Sequence, residues 1–304
     1  MTKQRLTGLV AATHTPFHAD GSLNLDAVDK QAAHLQKSGV GTVFIGGSTG
    51  ESSSLALEER LALCERWSEV IKGTPLRLVV HVGANCLQDA RALARQAEKV
   101  GAAAISALCP SYFKPRSVDM LVACCEEIIR DAREIPFYFY DIPALTGVSL
   151  SMPDFLAAAK DRLPRLAGLK FTNPDMMAYQ LCLRADGGRW DVPWGIDEHM
   201  LGALALGAQG AVGSGFNFAA PVYNRLIAAF ERGDLAAARE EQFRGVRLIQ
   251  LFVSYGYMGA AKAAMKMLGV DVGPARLPNN SLSPEQTAKL RGELEVMGFF
   301  DWVK

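Results

Sequence analysis

Lys170 closes an apolar stretch, Leu166-Ala167-Gly168-Leu169-Lys170-Phe171, and its type is at odds with its company. An ammonium seldom enters an apolar interior without a partner, because stripping its water costs several kcal/mol. The side chain can snorkel to a rim or pair with a carboxylate. It can also be held as an uncharged amine, the form that attacks a carbonyl and condenses to an imine. Tyr140 ends Phe137-Tyr138-Phe139-Tyr140, just before Asp141-Ile142-Pro143. An aromatic strand residue is ordinarily core, yet a phenol on the strand beside the lysine's can pass protons next to the amine. Residues 46–51, Gly-Gly-Ser-Thr-Gly-Glu, form either a plain turn or a cradle in which backbone N–H groups and the hydroxyls of Ser48 and Thr49 meet a small carboxylate. In Gly195-Ile196-Asp197-Glu198 the adjacent acids can hydrogen-bond the hydroxyls of a polyol, or Asp197 can cap a helix; Gly213-Ser214 follows.

These residues need a scaffold that brings them together. Apolar runs at 8–13, 42–46, 77–82, 103–108, 136–140, 166–171, 190–194 and 210–213 read as strands. Each is followed by an amphipathic stretch: 25–37, 57–72, 87–100, 118–133, 152–162, a short one near 175–183, 198–206 and 221–232. About eight strand–helix units is the count at which a parallel sheet closes on itself, and near-continuous apolar strands fit a sheet covered on both faces. Asp26, Ser117 and Ser151 lie near helix starts, and Gly39, Gly73 and Gly101 near helix ends. An open doubly wound sheet would want a glycine-rich turn after its first strand, where the chain reads His14-Thr15-Pro16-Phe17-His18. The expected fold is therefore a (β/α)8 TIM barrel over residues 1–232. A helical extension over 233–304 (helices at 235–253, 259–268 and 284–297) packs on it as part of one structural domain. Ser48, Thr49, Tyr140, Lys170, Asp197, Glu198 and Ser214 then all fall at the carboxyl ends of strands, which share the barrel face where active sites sit.

Composition narrows the partners. The 304 residues are 49% hydrophobic and 21% charged, a normal globular balance, and the 32 basic residues cancel the 32 acidic ones. No concentrated basic surface points to nucleic acid or an anionic membrane. The six cysteines, Cys64, Cys86, Cys109, Cys124, Cys125 and Cys182, form no C-x-x-C pair and read as small buried hydrophobes in a reducing compartment. The polar opening, Met1 to Leu6, has no apolar leader, and no apolar run reaches the roughly 20 residues that span a bilayer, so a cytoplasmic protein is expected. His14 and His18 are separated by Pro16, which spoils a helical metal pair, and His34, His81 and His199 make no ligand spacing; no metal site is expected. No Walker A loop, dinucleotide fingerprint or nucleophile elbow occurs.

The chain resembles the N-acetylneuraminate lyase and dihydrodipicolinate synthase superfamily of class I aldolases over nearly its whole length. The likeness rests on Gly-Gly-Ser-Thr-Gly-Glu (46–51), Tyr-Asp-Ile-Pro-Ala-Leu-Thr-Gly (140–147), Gly-Leu-Lys-Phe-Thr (168–172), Gly-Ile-Asp-Glu (195–198) and Gly-Ser (213–214). Within it the chain looks most like the sialic acid lyases. Dihydrodipicolinate synthases hold a second carboxylate with an arginine where Leu145 stands, and leucine cannot make that ion pair. The resemblance implies that Lys170 forms a Schiff base with pyruvate or with the keto carbon of the open sugar acid, so that the imine replaces any cofactor. It implies that Ser48 and Thr49 bind the pyruvate carboxylate and that Tyr140 moves the proton of the hydroxyl at the broken bond, which Thr172 positions. Gly195, Asp197, Glu198 and Ser214 would hold the polyhydroxyl tail. Tyr112 aligns with a tyrosine that in many relatives enters a neighbouring subunit's site, which implies a homo-oligomer, typically a tetramer. Gly215-Phe216 stands where a Thr-Tyr pair is more usual, and Met258 where bacterial relatives often have Phe; both touch the outer pocket.

The implied reaction is reversible cleavage of N-acetylneuraminate to N-acetylmannosamine and pyruvate. Another pyruvate-dependent aldolase or dehydratase acting on a sugar acid is the nearest alternative. A non-catalytic barrel that binds a keto acid or sialic acid is the alternative of another class, though a sensor has no need of a nucleophilic amine.

Overall fold

Seven of the apolar runs form strands in the computed structural model, which describes residues 5–304. The polar opening of the chain falls largely on residues 1–4, outside the described ones. The strands are β1 Gly8–Ala12, β2 Thr42–Ile45, β3 Arg77–His81, β4 Ala104–Ala107, β5 Phe137–Asp141, β6 Leu166–Phe171 and β7 Gly210–Gly213. All pairs are parallel, in the order β6-β5-β4-β3-β2-β1-β7. Nearly every strand residue is buried, as expected of a sheet walled in by helices outside and by its own side chains inside.

The run at 190–194 is not a regular strand. It fills the gap between β6 and β7 through isolated bridges, Gly168 with Asp191, Phe171 with Trp194, and Trp194 with Ala211. Leu169 and Phe171 donate their N–H groups to the carbonyls of Asp191 and Pro193, both at 3.0 Å, and Val212 donates to Trp194 at 2.7 Å. Pro193 has no N–H to give, so the ladder is interrupted although the barrel is closed.

Alternation then sorts the strands into two cores. Val10, Phe44, Val79, Ala104, Tyr138, Tyr140 and Val212 point into the barrel. Leu9, Val43, Leu78, Ile105, Phe139 and Leu169 point out against the helices. At the amino end of the barrel the Asp191 carboxylate accepts from the Tyr138 hydroxyl and from the Leu6 N–H, both at 2.7 Å.

The helices follow the amphipathic stretches with shortened ends, and Ser117 and Ser151 accept capping bonds from Met120 and Asp154. Asp26 sits at the first helix start without making one. The helix expected from 221 begins earlier, at Phe216–Glu231, with Pro221 inside it and Ala219 kinked away from helical geometry. The N–H missing at Pro221 leaves the Asn217 carbonyl free, and the His34 ring takes it at 2.8 Å. Beyond the barrel, helices Leu235–Ser254, Tyr257–Met267 and Pro284–Met297 are followed by a short turn of helix, Phe299–Trp302. The first packs along Phe216–Glu231 with the Phe218 and Phe252 rings 5.0 Å apart. Cys64, Cys109, Cys125 and Cys182 are buried, whereas Cys86 is exposed.

Candidate active site

β5 and β6 lie side by side in a register that sets Tyr140 opposite Lys170. Lys170 is only 4% exposed. Its Nζ lies over two aromatic faces, 3.7 Å from the Tyr140 ring centroid and 4.3 Å from that of Phe44. Among the described residues it has neither an ion-pair nor a hydrogen-bond partner. The ring faces supply a weak electrostatic attraction in place of an anion.

This amine forms the floor of a cavity of about 790 Å³ at the carboxyl end of the barrel. On one side is the turn after β2. The Ser48 hydroxyl lies 3.4 Å from the Tyr140 phenol oxygen. The N–H groups of Ser48 and Thr49 find no acceptor within the described residues, which leaves two backbone donors for an anion. Gly195, Asp197, Glu198 and Ser214 line another part of the wall.

Two close approaches shape that wall. A Cβ at Gly213 would meet Asp197 Oδ1 at 1.9 Å, so the glycine leaves room for the carboxylate, whose Oδ2 accepts the Gly215 N–H at 2.7 Å. Burial, which outweighs the Gly215 hydrogen bond, raises the Asp197 pKa to about 7. A Cβ at Gly195 would meet Thr172 Oγ1 at 1.9 Å. That hydroxyl is buried and has no partner among the described residues, an unusual state for a polar atom and one that a ligand hydroxyl would relieve.

The cavity brings together Ser48, Thr49, Tyr140, Lys170, Thr172, Gly195, Asp197, Glu198 and Ser214. Tyr112 does not join them within the chain. It is 78% exposed, its ring edge-on to that of the equally exposed Phe113, and it lines a separate surface hollow with residues 114–116 and 147–150.

Sequence reasoning did not single out Phe44, whose ring is the second face under Lys170, or Tyr257, whose phenol is 2.6 Å from the Ser214 hydroxyl. Nor did it anticipate that Asn279 and Asn280 reach the rim. Phe44 was legible in principle as an inward residue of β2. Tyr257 was hidden because its helix was expected to begin at 259, and it begins at Tyr257 after Gly256 turns the chain through a positive φ of 79°. Met258 lies on the cavity wall with Leu145, Ile249 and Val253, which gives the mouth an apolar stretch and no cation. Among the described residues no three His, Cys, Asp or Glu side chains gather as a metal cage, and no described helix is long and apolar enough to cross a membrane.

The chain matches the family model described as the dihydrodipicolinate synthetase family over residues 5–297. It is 36% identical to the N-acetylneuraminate lyase of Rattus norvegicus, with 99% of this chain and 95% of the relative covered. Among solved structures, the N-acetylneuraminate lyase of Proteus mirabilis superposes with a TM-score of 0.94 at 40% identity, covering 97% of this chain and all of that one. The N-acetylneuraminate lyase (sialic acid aldolase) of Aliivibrio salmonicida gives the same TM-score at 41% identity, covering 97% and 98%.

Proposed function

The chain belongs to the dihydrodipicolinate synthetase family, and on that premise we propose that it is a class I aldolase that cleaves N-acetylneuraminate reversibly to N-acetylmannosamine and pyruvate. One observation carries the reading: a buried lysine amine without a carboxylate partner, set between two unpaired backbone donors and a pair of acids. Leu145 at the mouth offers no cation for a second carboxylate, which favours a sugar acid over a dicarboxylic substrate.

The chemistry uses the amine as an electron sink. Lys170 attacks the keto carbon of the open-chain sugar acid, and water leaves as the imine forms. Ser48, Thr49 and their N–H groups hold the adjacent carboxylate and so fix the reacting carbon over the amine. The hydroxyl at the bond to be broken gives its proton toward Tyr140, beside Ser48, while Thr172 orients it. The carbon–carbon electron pair moves into the protonated imine, leaving an enamine on Lys170 and a free aldehyde sugar. The enamine takes up a proton at its terminal carbon, and water returns pyruvate and the amine. Asp197, Glu198 and Ser214 grip the polyhydroxyl tail. No cofactor is required in this scheme. The exposed Tyr112 and Phe113 favour a homo-oligomer of the tetramer type, in which Tyr112 serves a neighbouring copy's site.

Incubation with pyruvate followed by borohydride reduction and peptide mapping tests the reading. A stable adduct on Lys170 is the expected result; its absence, or labelling elsewhere, overturns the imine mechanism. Turnover measured over a panel of sugar-derived keto acids then separates N-acetylneuraminate from other sugar-acid substrates.

A further inference from the structure

His81, the last residue of β3, is fully buried inside the barrel and makes no contact with the cavity, yet it touches three parts of the site from below. Its Nδ1 lies 2.8 Å from the carbonyl of Gly46, which opens the turn that carries Ser48 and Thr49. Its Nε2 lies 3.4 Å from the N–H of Leu108, which opens the loop leading to Tyr112. Its ring stands edge-on to Tyr140, 5.9 Å between centroids, and tilted against Phe44 at 6.1 Å, the two rings that face Lys170.

The partners settle the proton. A carbonyl oxygen only accepts and a backbone N–H only donates, so Nδ1 carries the hydrogen and Nε2 presents its lone pair. Arg60 Nη2 lies 3.5 Å from Nδ1, but it donates at 2.8 Å to the His81 carbonyl, while Nη1 donates to Gly83 at 3.0 Å. Burial first, and then the Arg60 charge, hold the imidazole pKa well below its ordinary value, so the ring stays neutral. A neutral imidazole of fixed tautomer is a two-ended rivet between the turn after β2 and the loop after β4. From the same end of β3, Asn85 Oδ1 accepts the N–H groups of Ser111 at 2.9 Å and Tyr112 at 3.0 Å. The Gly46 carbonyl has a further consequence: a peptide whose oxygen accepts a buried hydrogen bond is polarised, and the Gly47 N–H of that same peptide becomes a better donor to an anion.

We infer that His81 is a positioning residue: as the Nδ1–H tautomer it fixes the anion-binding turn after β2 against the loop after β4 and so sets the affinity for the carboxylate of the keto acid. The inference rests on the aldolase reading and sharpens it, and the two fail differently. The experiment is the pyruvate concentration dependence of borohydride trapping on the full-length protein, read with the split between KM and kcat and with melting curves. His81→Leu removes both ends of the rivet, and His81→Gln places an amide near Nε2 but withdraws it from Gly46. Both should raise the half-saturating pyruvate concentration about tenfold, the effect of one buried hydrogen bond, and raise KM more than they lower kcat. His81→Asn still sets an amide donor at the Nδ1 position and should recover most of the loss. If neither Leu nor Gln moves half-saturation while the wild type is labelled, or if Asn is damaged as badly as Leu, the inference falls. If the wild type itself takes no label on Lys170, it is the aldolase reading that falls. A measurement without variants stands beside these should Leu or Gln fail to fold. 15N shifts of labelled histidine, with His81 assigned by its loss in His81→Asn, should show Nδ1 protonated and Nε2 bare; the opposite tautomer, or an imidazolium, overturns the proposal.

Discussion

Lys170 and Lys262 are both buried lysines, and opposite surroundings give them opposite work. Lys262, 3% exposed on helix Tyr257–Met267, sits 2.8 Å from Glu51 and donates to the carbonyls of Thr15 at 3.0 Å and Pro274 at 2.8 Å. Burial pulls its pKa below the ordinary value and the Glu51 carboxylate pushes it back up, so the amine is held against a counter-charge with two backbone carbonyls as acceptors. Lys170 has aromatic faces where Lys262 has a carboxylate, and it opens onto a cavity. Burial alone therefore does not make a lysine a nucleophile. The company does.

The sharpest way to break that contrast is to remove each lysine in turn. Lys170→Ala should lower turnover by roughly 10⁴-fold or more, the scale of losing a covalent nucleophile, while the melting temperature stays near wild type. A variant that keeps turning over would mean that another amine can serve. Tyr140→Phe comes next. It keeps the ring face under the amine but loses the phenol that is 3.4 Å from Ser48, so kcat should drop about 10²–10⁴-fold while pyruvate trapping changes less. The reverse pattern would make Tyr140 a binding group.

For Lys262 the damage should lie in stability. Lys262→Met strands the Glu51 carboxylate in the interior, which costs about 3–5 kcal/mol, and should lower the melting temperature while the folded fraction still takes the pyruvate label on Lys170. Adding Glu51→Gln removes the stranded charge, so the double variant should be more stable than Lys262→Met alone. A double variant no better than the single one would show that the Glu51 charge is not what destabilises Lys262→Met.

The difference between the lysines also marks what could be read from the sequence. Lys170 stood out because an ammonium among Leu166, Ala167, Leu169 and Phe171 contradicts the strand around it. Lys262 did not, because it lies one turn before Lys266 on an amphipathic helix, and its partner Glu51 lies far away in the chain, held at a positive φ of 53° at the end of the glycine-rich turn. The succession of about eight apolar runs and amphipathic stretches likewise gave the barrel and the common face of the site residues. Proline chemistry was misjudged twice. Pro221 reads as a helix start but lies inside a kinked helix because His34 takes the carbonyl it leaves unpaired. Pro193 reads as strand but reduces the closing segment to bridges. Both outcomes depend on a partner brought in by the fold, which local pattern cannot see. Tyr112 is the remaining case: its alignment suggested the site, and within one chain it lies on the surface.

A pH titration tests the contrast most finely. The Asp197 carboxyl, whose charge is felt at Lys170, titrates at about 7 in the folded chain against an ordinary 3.8. A folded value above the unfolded one means that the native state holds a proton which the unfolded state has already lost. The stabilisation is full below about 3.8 and is lost as pH rises through about 7. Asp197→Asn is neutral throughout, so its stability relative to wild type should climb across that window and level off above it, as read from urea midpoints at a series of pH values. Asp141, raised to about 6, and Asp191, also raised, are present in both proteins and cancel in the difference. Parallel curves for the two proteins would mean that Asp197 is already ionised in the folded chain well below pH 7. Lys170 would then have a standing counter-charge at the cavity wall, and its setting would be closer to that of Lys262 than the geometry implies.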